Sequence, residues 1–275
     1  MTEGNDVRQW GTNDGQYRPV GLTSTKVEAG IYEFDNNMGL FLRPVQVVTD
    51  NLIELPDPTC AQVLSGIEKF WSMENRYREH GLLYKRSVGL YGPPGGGKTA
   101  TMVLLARRMI AKDGLVIMFN RFTSDGLALL RRIEPKRRIV CIMEELDDLF
   151  DDWDSEILSL LDGENQVDGI VYLATTNHFD RLPSTLVNRP SRFDEWLYVG
   201  MPSAESREAY LRKVAPLLSA EELGTWVTNT TGFSVAHLKE LAAAVLCLDH
   251  PYAQVLERLR KMLKTENSQK QTADS

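Results

Sequence analysis

The stretch Ser87-Val88-Gly89-Leu90-Tyr91-Gly92-Pro93-Pro94-Gly95-Gly96-Gly97-Lys98-Thr99 decides the reading of this chain. Its first five residues are strand-forming, and Gly92 to Thr99 satisfies the phosphate-binding pattern G-x-x-x-x-G-K-[ST] without a mismatch. Glycine lacks a Cβ, so the backbone can turn tightly and aim successive N–H groups at phosphate oxygens; a following helix adds the positive end of its dipole. That helix is expected from Ala100 to Ala111, with Met102, Leu105, Ala106 and Met109 on one face. Gly92, Pro93, Pro94, Gly95, Gly96, Gly97, Lys98, Thr99 and Ala100 are therefore the candidate nucleotide-binding residues. In this pattern the lysine reaches the β- and γ-phosphates and the hydroxyl, here Thr99, ligates Mg²⁺.

With 275 residues, 43% of them hydrophobic, the chain can bury a substantial core, and its length suits one large domain or two unequal ones. The net charge of −7 argues against a protein that coats duplex nucleic acid by bulk electrostatics. Lys136-Arg137-Arg138, with Arg131 and Arg132 upstream, is the one dense basic cluster. It reads first as a solvated helix end ahead of a buried strand, with a local nucleic-acid patch as the alternative. Cys60, Cys141 and Cys247 are far apart and form no C-x-x-C spacing, which points to a reducing compartment and no structural zinc. The N-terminus resembles neither a secretion signal nor a transit peptide, and no segment approaches about 18 uninterrupted apolar residues. A cytoplasmic protein without a membrane span is the expectation.

Along the chain, residues 1–58 form an N-terminal segment, polar and poorly ordered to about Thr25. A hairpin is expected from Gly30 to Val48 around Asp35-Asn36-Asn37. Thr59 to Glu79 carries Val63, Ile67, Phe70, Trp71 and Tyr77 near helical spacing and closes at Gly81. Strands are expected at Leu115 to Phe119, Arg138 to Met143, Gly169 to Thr175 and Glu195 to Val199, with helices around Asp125 to Ile133 and Ser155 to Leu161. This alternation defines an α/β fold over 59–201, a mainly parallel sheet sandwiched by helices. From 202 to 264 the pattern is purely helical, a small lid domain, and 265–275 is a polar, disordered tail.

Two acids, Glu144 and Glu145, end the apolar run Ile139-Val140-Cys141-Ile142-Met143. Carboxylates at the carboxyl end of a parallel strand face the crevice where such sheets bind ligands. The first can hold Mg²⁺ and the second can orient or deprotonate an attacking water. Asn177 follows the strand that ends at Thr175; its amide can hold that water against a γ-phosphate, or can simply form a turn. Arg189 and Arg192 flank Pro190-Ser191. A pair of this kind is either a surface ion-pairing feature or a source of positive charge for phosphoryl transfer in a neighbouring subunit.

In this order the four elements resemble those of the AAA+ ATPases. Gly92 to Thr99 is similar to Walker A, Ile139 to Glu145 to Walker B, Thr175-Thr176-Asn177 to sensor 1, and Arg189-Pro190-Ser191-Arg192-Phe193-Asp194 to the arginine-finger segment R-P-G-R-F-D. The likeness covers roughly Thr59 to Leu263. In Met143 to Phe150, Leu160 to Gly163 and Thr175 to Leu182 it is nearest the branch containing the mitochondrial translocase of the Rieske iron–sulfur protein. Departures are Glu144 where Asp is usual outside that branch, Ser191 in place of the turn glycine, and a short Asn120 to Lys136 stretch without an aromatic pore loop. Phe122 there reads as a packed aromatic. Thr231 to Leu238 resembles the sensor 2 segment that carries alanine, here Ala236.

The resemblance implies an ATP- and Mg²⁺-dependent hydrolase assembled as a homo-oligomeric ring, hexameric or heptameric, that remodels or translocates a macromolecular substrate, with protein the favoured class. Lys98, Glu145, Asn177, Arg189 and Arg192 would be its catalytic residues and Thr99 and Glu144 its metal ligands. A nucleotide-controlled binding module with slow turnover and a DNA replication or recombination loader are the alternatives.

Overall fold

The computed structural model describes residues 9–13, 16–20, 24–36, 40–47 and 53–273. Strands β1 (Gln9–Asn13) and β2 (Gln16–Val20) pair antiparallel as a separate two-stranded sheet, within the stretch whose polar composition predicts poor order. The main sheet has seven strands: β3 (Gly30–Asp35), β4 (Phe41–Pro44), β5 (Lys85–Tyr91), β6 (Leu115–Met118), β7 (Ile139–Met143), β8 (Ile170–Thr176) and β9 (Glu195–Tyr198). Their spatial order is β4-β3-β6-β7-β8-β5-β9, and every pairing is parallel except that of β3 with β4.

Helices cover both faces: α1 (Pro58–Trp71), α2 (Glu74–Glu79), α3 (Lys98–Ala111), α4 (Thr123–Ile133), α5 (Leu146–Asp162) and the short α6 (Ser184–Val187). Alternation along a strand sends successive side chains to opposite faces. Cys141, Met143 and Tyr172 therefore pack with α4 and α5, while Val140, Ile142, Leu173, Val88 and Leu90 pack with α1 and α3. Cys141 is the small core residue its surroundings imply, and burial pushes its thiol well above the ordinary value. A third core, in α7 (Ala204–Val214), α8 (Ala220–Asn229), α9 (Val235–Leu246) and α10 (Tyr252–Ala273), gathers Tyr210, Trp226, Phe233 and Leu241. No helix among the described residues is long and apolar enough to cross a membrane.

Several elements differ from the sequence expectation, and the helix expected over Thr59 to Glu79 is one of them, broken at Ser72 and Met73 into α1 and α2. The strands of the Gly30 hairpin pair antiparallel, while its expected turn at Asp35-Asn36-Asn37 lies partly outside the described residues; the pair is part of the main sheet, for β3 lies parallel to β6, with Gly30 opposite Leu115 and Glu33 opposite Met118. Without β3, strand β6 would expose a row of unpaired amides and carbonyls. A strap of charges holds the approach to β3. The Val27 amide donates to Glu134 Oε1 at 2.7 Å, Arg137 Nη2 donates to the Val27 carbonyl at 2.8 Å, and Arg137 pairs with Glu134 at 3.5 Å.

Much of the basic cluster is thereby turned inward. Arg137 is buried, and Arg131 donates to the carbonyls of Pro135, Arg137 and Gly169. Arg138 lies over the Trp71 ring, 5.9 Å from its centroid.

Helix α5 begins at Leu146 rather than near Ser155. Asp147 and Asp148 in its first turn suit the positive helix end, and the non-helical Trp153 (φ −137°, ψ 34°) marks a kink that separates this acidic half from the apolar one. Helix α10 runs to Ala273, past the expected stop at Leu263. The stretch beyond Leu263 has no Gly or Pro to end a helix already nucleated.

Phe34 of β3 lies against α4 at Gly126, where a Cβ would come within 2.4 Å of the Phe34 ring. Gly126→Ala should cost about 1–3 kcal/mol through overpacking and lower the thermal midpoint by several degrees. Phe34→Leu in the same chain should recover part of that loss. An unchanged midpoint in Gly126→Ala would mean that β3 is not packed there.

Candidate functional site

Strand β5 delivers the glycine loop to the carboxyl edge of the sheet. Gly92, Gly95 and Gly97 take φ values of 146°, 78° and 113°, conformations that a Cβ disfavours. Space forbids one as well: at Gly92 a Cβ would lie 2.2 Å from the Val199 carbonyl oxygen, and at Gly95 2.7 Å from the Ser234 Cβ. The loop is thus enclosed between the end of β9 and the start of α9. Gly97 precedes α3 directly, so Lys98 and Thr99 occupy its first turn.

A cavity of about 360 Å³ opens beside this loop, lined by Pro94 to Thr101, Glu144, Glu145, Thr175 and Asn177. Gly92 and Pro93 lie behind it, and their carbonyls accept Lys98 Nζ at 2.7 and 3.0 Å. The Thr99 hydroxyl donates to Glu144 Oε1 at 3.3 Å, so the loop and the first acid face each other directly.

One residue separates Met143 of β7 and Glu144 from helix α5, and that residue is Glu145. It adopts the left-handed region (φ 51°, ψ 58°), uncommon for a residue with a side chain. Its amide donates to Thr175 Oγ1 at 3.3 Å. On the adjacent strand end, the Thr176 hydroxyl donates to buried Asp147 Oδ1 at 2.7 Å and accepts the His178 amide at 2.9 Å. Arg181 backs the same Asp147 at 3.6 Å. These bonds hold the end of β8 to the first turn of α5 and fix the backbone on either side of Asn177, which lines the cavity beside Glu145.

Arg189 and Arg192 are not among the residues that line this cavity. Arg192 is 8% exposed and Arg189 59% exposed, and both meet Asp162 at the end of α5. Phe122 packs partly buried against the core beneath α4, with the Arg121 guanidinium 4.6 Å from its ring centroid.

The rest of the lining includes apolar residues that sequence reasoning did not select, Ile53, Leu55, Cys60 and Tyr210, joined by Val235 and the expected Ala236. Burial pushes both the Cys60 thiol and the Tyr210 phenol up, so each stays neutral and contributes a wall rather than a charge. Ile53 and Leu55 also pack against the core of the C-terminal helices, and Ser206 Oγ donates to the Pro56 carbonyl at 2.9 Å. The segment before α1 therefore ties the C-terminal helices to the sheet. The alternation Ile53-Glu54-Leu55 before Pro56 was its faint signal. At the C-terminal helices' contact with the loop, Ser234 caps α9, its hydroxyl accepting the His237 amide at 3.3 Å and lying 2.7 Å from His237 Nδ1.

Residues 88–201 match the model of the family described as ATPase family associated with various cellular activities (AAA). ATPase family gene 2 protein of Saccharomyces cerevisiae is 30% identical over 202 residues, covering 65% of this chain and 25% of that protein. ATP-dependent zinc metalloprotease FtsH of Marinobacter nauticus is 31% identical over 207 residues, 65% of this chain and 32% of that one. Mitochondrial chaperone BCS1 of Bos taurus is 29% identical over 168 residues, 54% of this chain and 40% of that one. The chain thus spans between a quarter and two fifths of the length of these relatives. The glycine loop, the paired acids and the polar strand end converge on one cavity within the matched span, and residues 88–201 are an AAA-family ATPase domain.

Proposed function

We propose that this chain is a Mg²⁺-dependent ATPase that works in a homo-oligomeric ring and uses turnover to remodel a macromolecule, a protein rather than a nucleic acid. The observation that carries the reading is the 3.3 Å approach of the Thr99 hydroxyl to the Glu144 carboxylate across a cavity shared with Glu145 and Asn177. A hydroxyl and a carboxylate at that spacing are a donor set for a hard divalent cation that keeps most of its other ligands as water and phosphate oxygens. The glycine cradle and the Lys98 ammonium fit a triphosphate.

When bound, Mg²⁺ would be held by Thr99 and Glu144 and would supply positive charge to offset that on the group transferred. The protein's own residues supply the remainder. Lys98 exchanges the loop carbonyls for β- and γ-phosphate oxygens, Thr99 and Glu144 hold the metal, and the Glu145 carboxylate accepts the proton of the attacking water. Asn177 keeps that water in line. The apolar lining formed by Ile53, Leu55 and Tyr210 offers a site for the base between sheet and lid. Because both layers contribute walls, occupancy draws the lid toward the sheet and turnover releases it, which gives hydrolysis a mechanical output.

Arg189 and Arg192 are read as serving the nucleotide of an adjoining subunit. The inward-turned basic cluster supports a protein over a nucleic-acid substrate, since Arg131 and Arg137 are committed to internal carbonyls and Glu134.

Glu145→Gln should bind ATP as the parent does while turnover falls by at least about 100-fold, the usual worth of a general base. Steady-state hydrolysis and fluorescent-nucleotide titration measure the two quantities, and parental turnover would remove Glu145 from its role. Lys98→Ala should instead lose ATP binding itself. Mixing Arg189→Ala subunits with Glu145→Gln subunits should restore activity at hybrid interfaces; no restoration at any ratio, with mixed assembly confirmed, would contradict action between subunits.

A further inference from the structure

The segment Arg189-Pro190-Ser191-Arg192-Phe193-Asp194 is fastened to its own subunit at three points. Asp194 Oδ2 accepts the Ser87 amide at 2.6 Å, and Lys85 Nζ donates to the Ser191 carbonyl at 2.9 Å and to the Leu161 carbonyl. The third point is Asp162, the last residue of α5. One oxygen, Oδ2, accepts Arg192 Nε at 3.0 Å, Ser191 Oγ at 3.1 Å and Arg189 Nη1 at 3.2 Å.

The two guanidinium groups on this oxygen are not equivalent. Arg192 is 8% exposed and also donates Nη1 to the Thr185 carbonyl at 2.6 Å. Withdrawing it would strand a buried carbonyl and most of the support of a carboxylate. Arg189 is 59% exposed, and its pair with Asp162 is of the solvent-facing kind that breaks readily. Burial pushes the Asp162 carboxyl up, but the hydrogen bonds from Arg192 and Ser191, with both guanidinium charges, hold it below the usual carboxylate range. Ser191, standing where the resembling motif has glycine, adds a hydroxyl donor that stays on Oδ2 when Arg189 leaves.

We propose that Asp162 divides the two arginines into a fixed one and a mobile one: Arg192 and Ser191 remain on Asp162 as positioning residues, and Arg189 alone swings out to the phosphates of the adjoining subunit's nucleotide. The inference rests on the reading that this segment acts between subunits, and it assigns that action to one arginine and its mount to Asp162.

Turnover at saturating ATP, ATP affinity and the thermal midpoint of the full chain test it. Arg189→Ala should lose at least about 100-fold in turnover, as removal of a transition-state arginine does, with affinity and midpoint unchanged. Arg192→Ala should lose roughly tenfold by misplacing the segment and should lower the midpoint. The double variant should turn over within about twofold of Arg189→Ala, because Arg192 acts only through Arg189.

Losses that multiply in the double variant would mean that Arg192 itself reaches phosphate, which overturns the inference and leaves action between subunits intact. Parental turnover of Arg189→Ala would remove the between-subunit reading of Arg189 altogether. If Arg192→Ala does not fold, Arg192→Lys, which keeps a donor for Asp162, replaces it. It should retain at least about half of parental turnover on the same ground, and a loss as deep as that of Arg189→Ala would overturn the assignment.

Discussion

The parallel alignment of β7, β8 and β5 is the constraint on which the site depends. These strands lie side by side in that order, so their carboxyl ends open on one edge of the sheet. Met143 is opposite Ala174, and Tyr91 is opposite Thr176. The acids that follow Met143, the amide that follows Thr176 and the glycine loop that follows Tyr91 are therefore brought together by register alone. A slip of one residue would send each strand's side chains to the wrong face. The fully buried runs Ile139–Met143 and Ile170–Thr176 make such a slip costly.

The register brings backbone into place; local bonds orient the side chains. Glu145 in the left-handed region costs roughly 1–2 kcal/mol relative to an ordinary helical or extended conformation. In return, β7 passes into α5 through Glu144 and Glu145 alone and both acids stay at the cavity. Thr175 on the Glu145 amide and Thr176 on Asp147 support that turn from the neighbouring strand. Threonine at both positions thus supports the turn that carries the two acids.

The parts of the fold and site that could be read in the sequence are those where one short segment states its own geometry. Gly92 to Thr99 does so through its glycines, and Ile139 to Glu145 through an apolar run that stops abruptly at two acids. The residues that escaped reading depend on partners distant in the chain. Nothing local in Gly30 to Asp35 says that it adds to the sheet beside β6; that follows from Phe34 meeting Gly126 and from the Glu134–Arg137 strap around Val27. The basic cluster has the composition of a surface patch, yet Arg137 is buried because Glu134, Asp113 and the Val27 carbonyl surround it. Ile53, Leu55 and Tyr210 are ordinary apolar residues until the C-terminal helices fold over the sheet. Asp162 is likewise silent in sequence, since its role lies in three donors, at residues 189, 191 and 192, that reach it across space.

The account's central claim is that Thr99 and Glu144 act on one metal–nucleotide complex. Electron paramagnetic resonance of Mn²⁺ bound together with a non-hydrolysable ATP analogue tests it most directly, through the metal affinities of Thr99→Ala, Glu144→Gln and the double variant. The account predicts that each single change weakens Mn²⁺ and that the double change weakens it by much less than the product of the two. Independent, multiplying losses, or metal affinity untouched by either change, would contradict it.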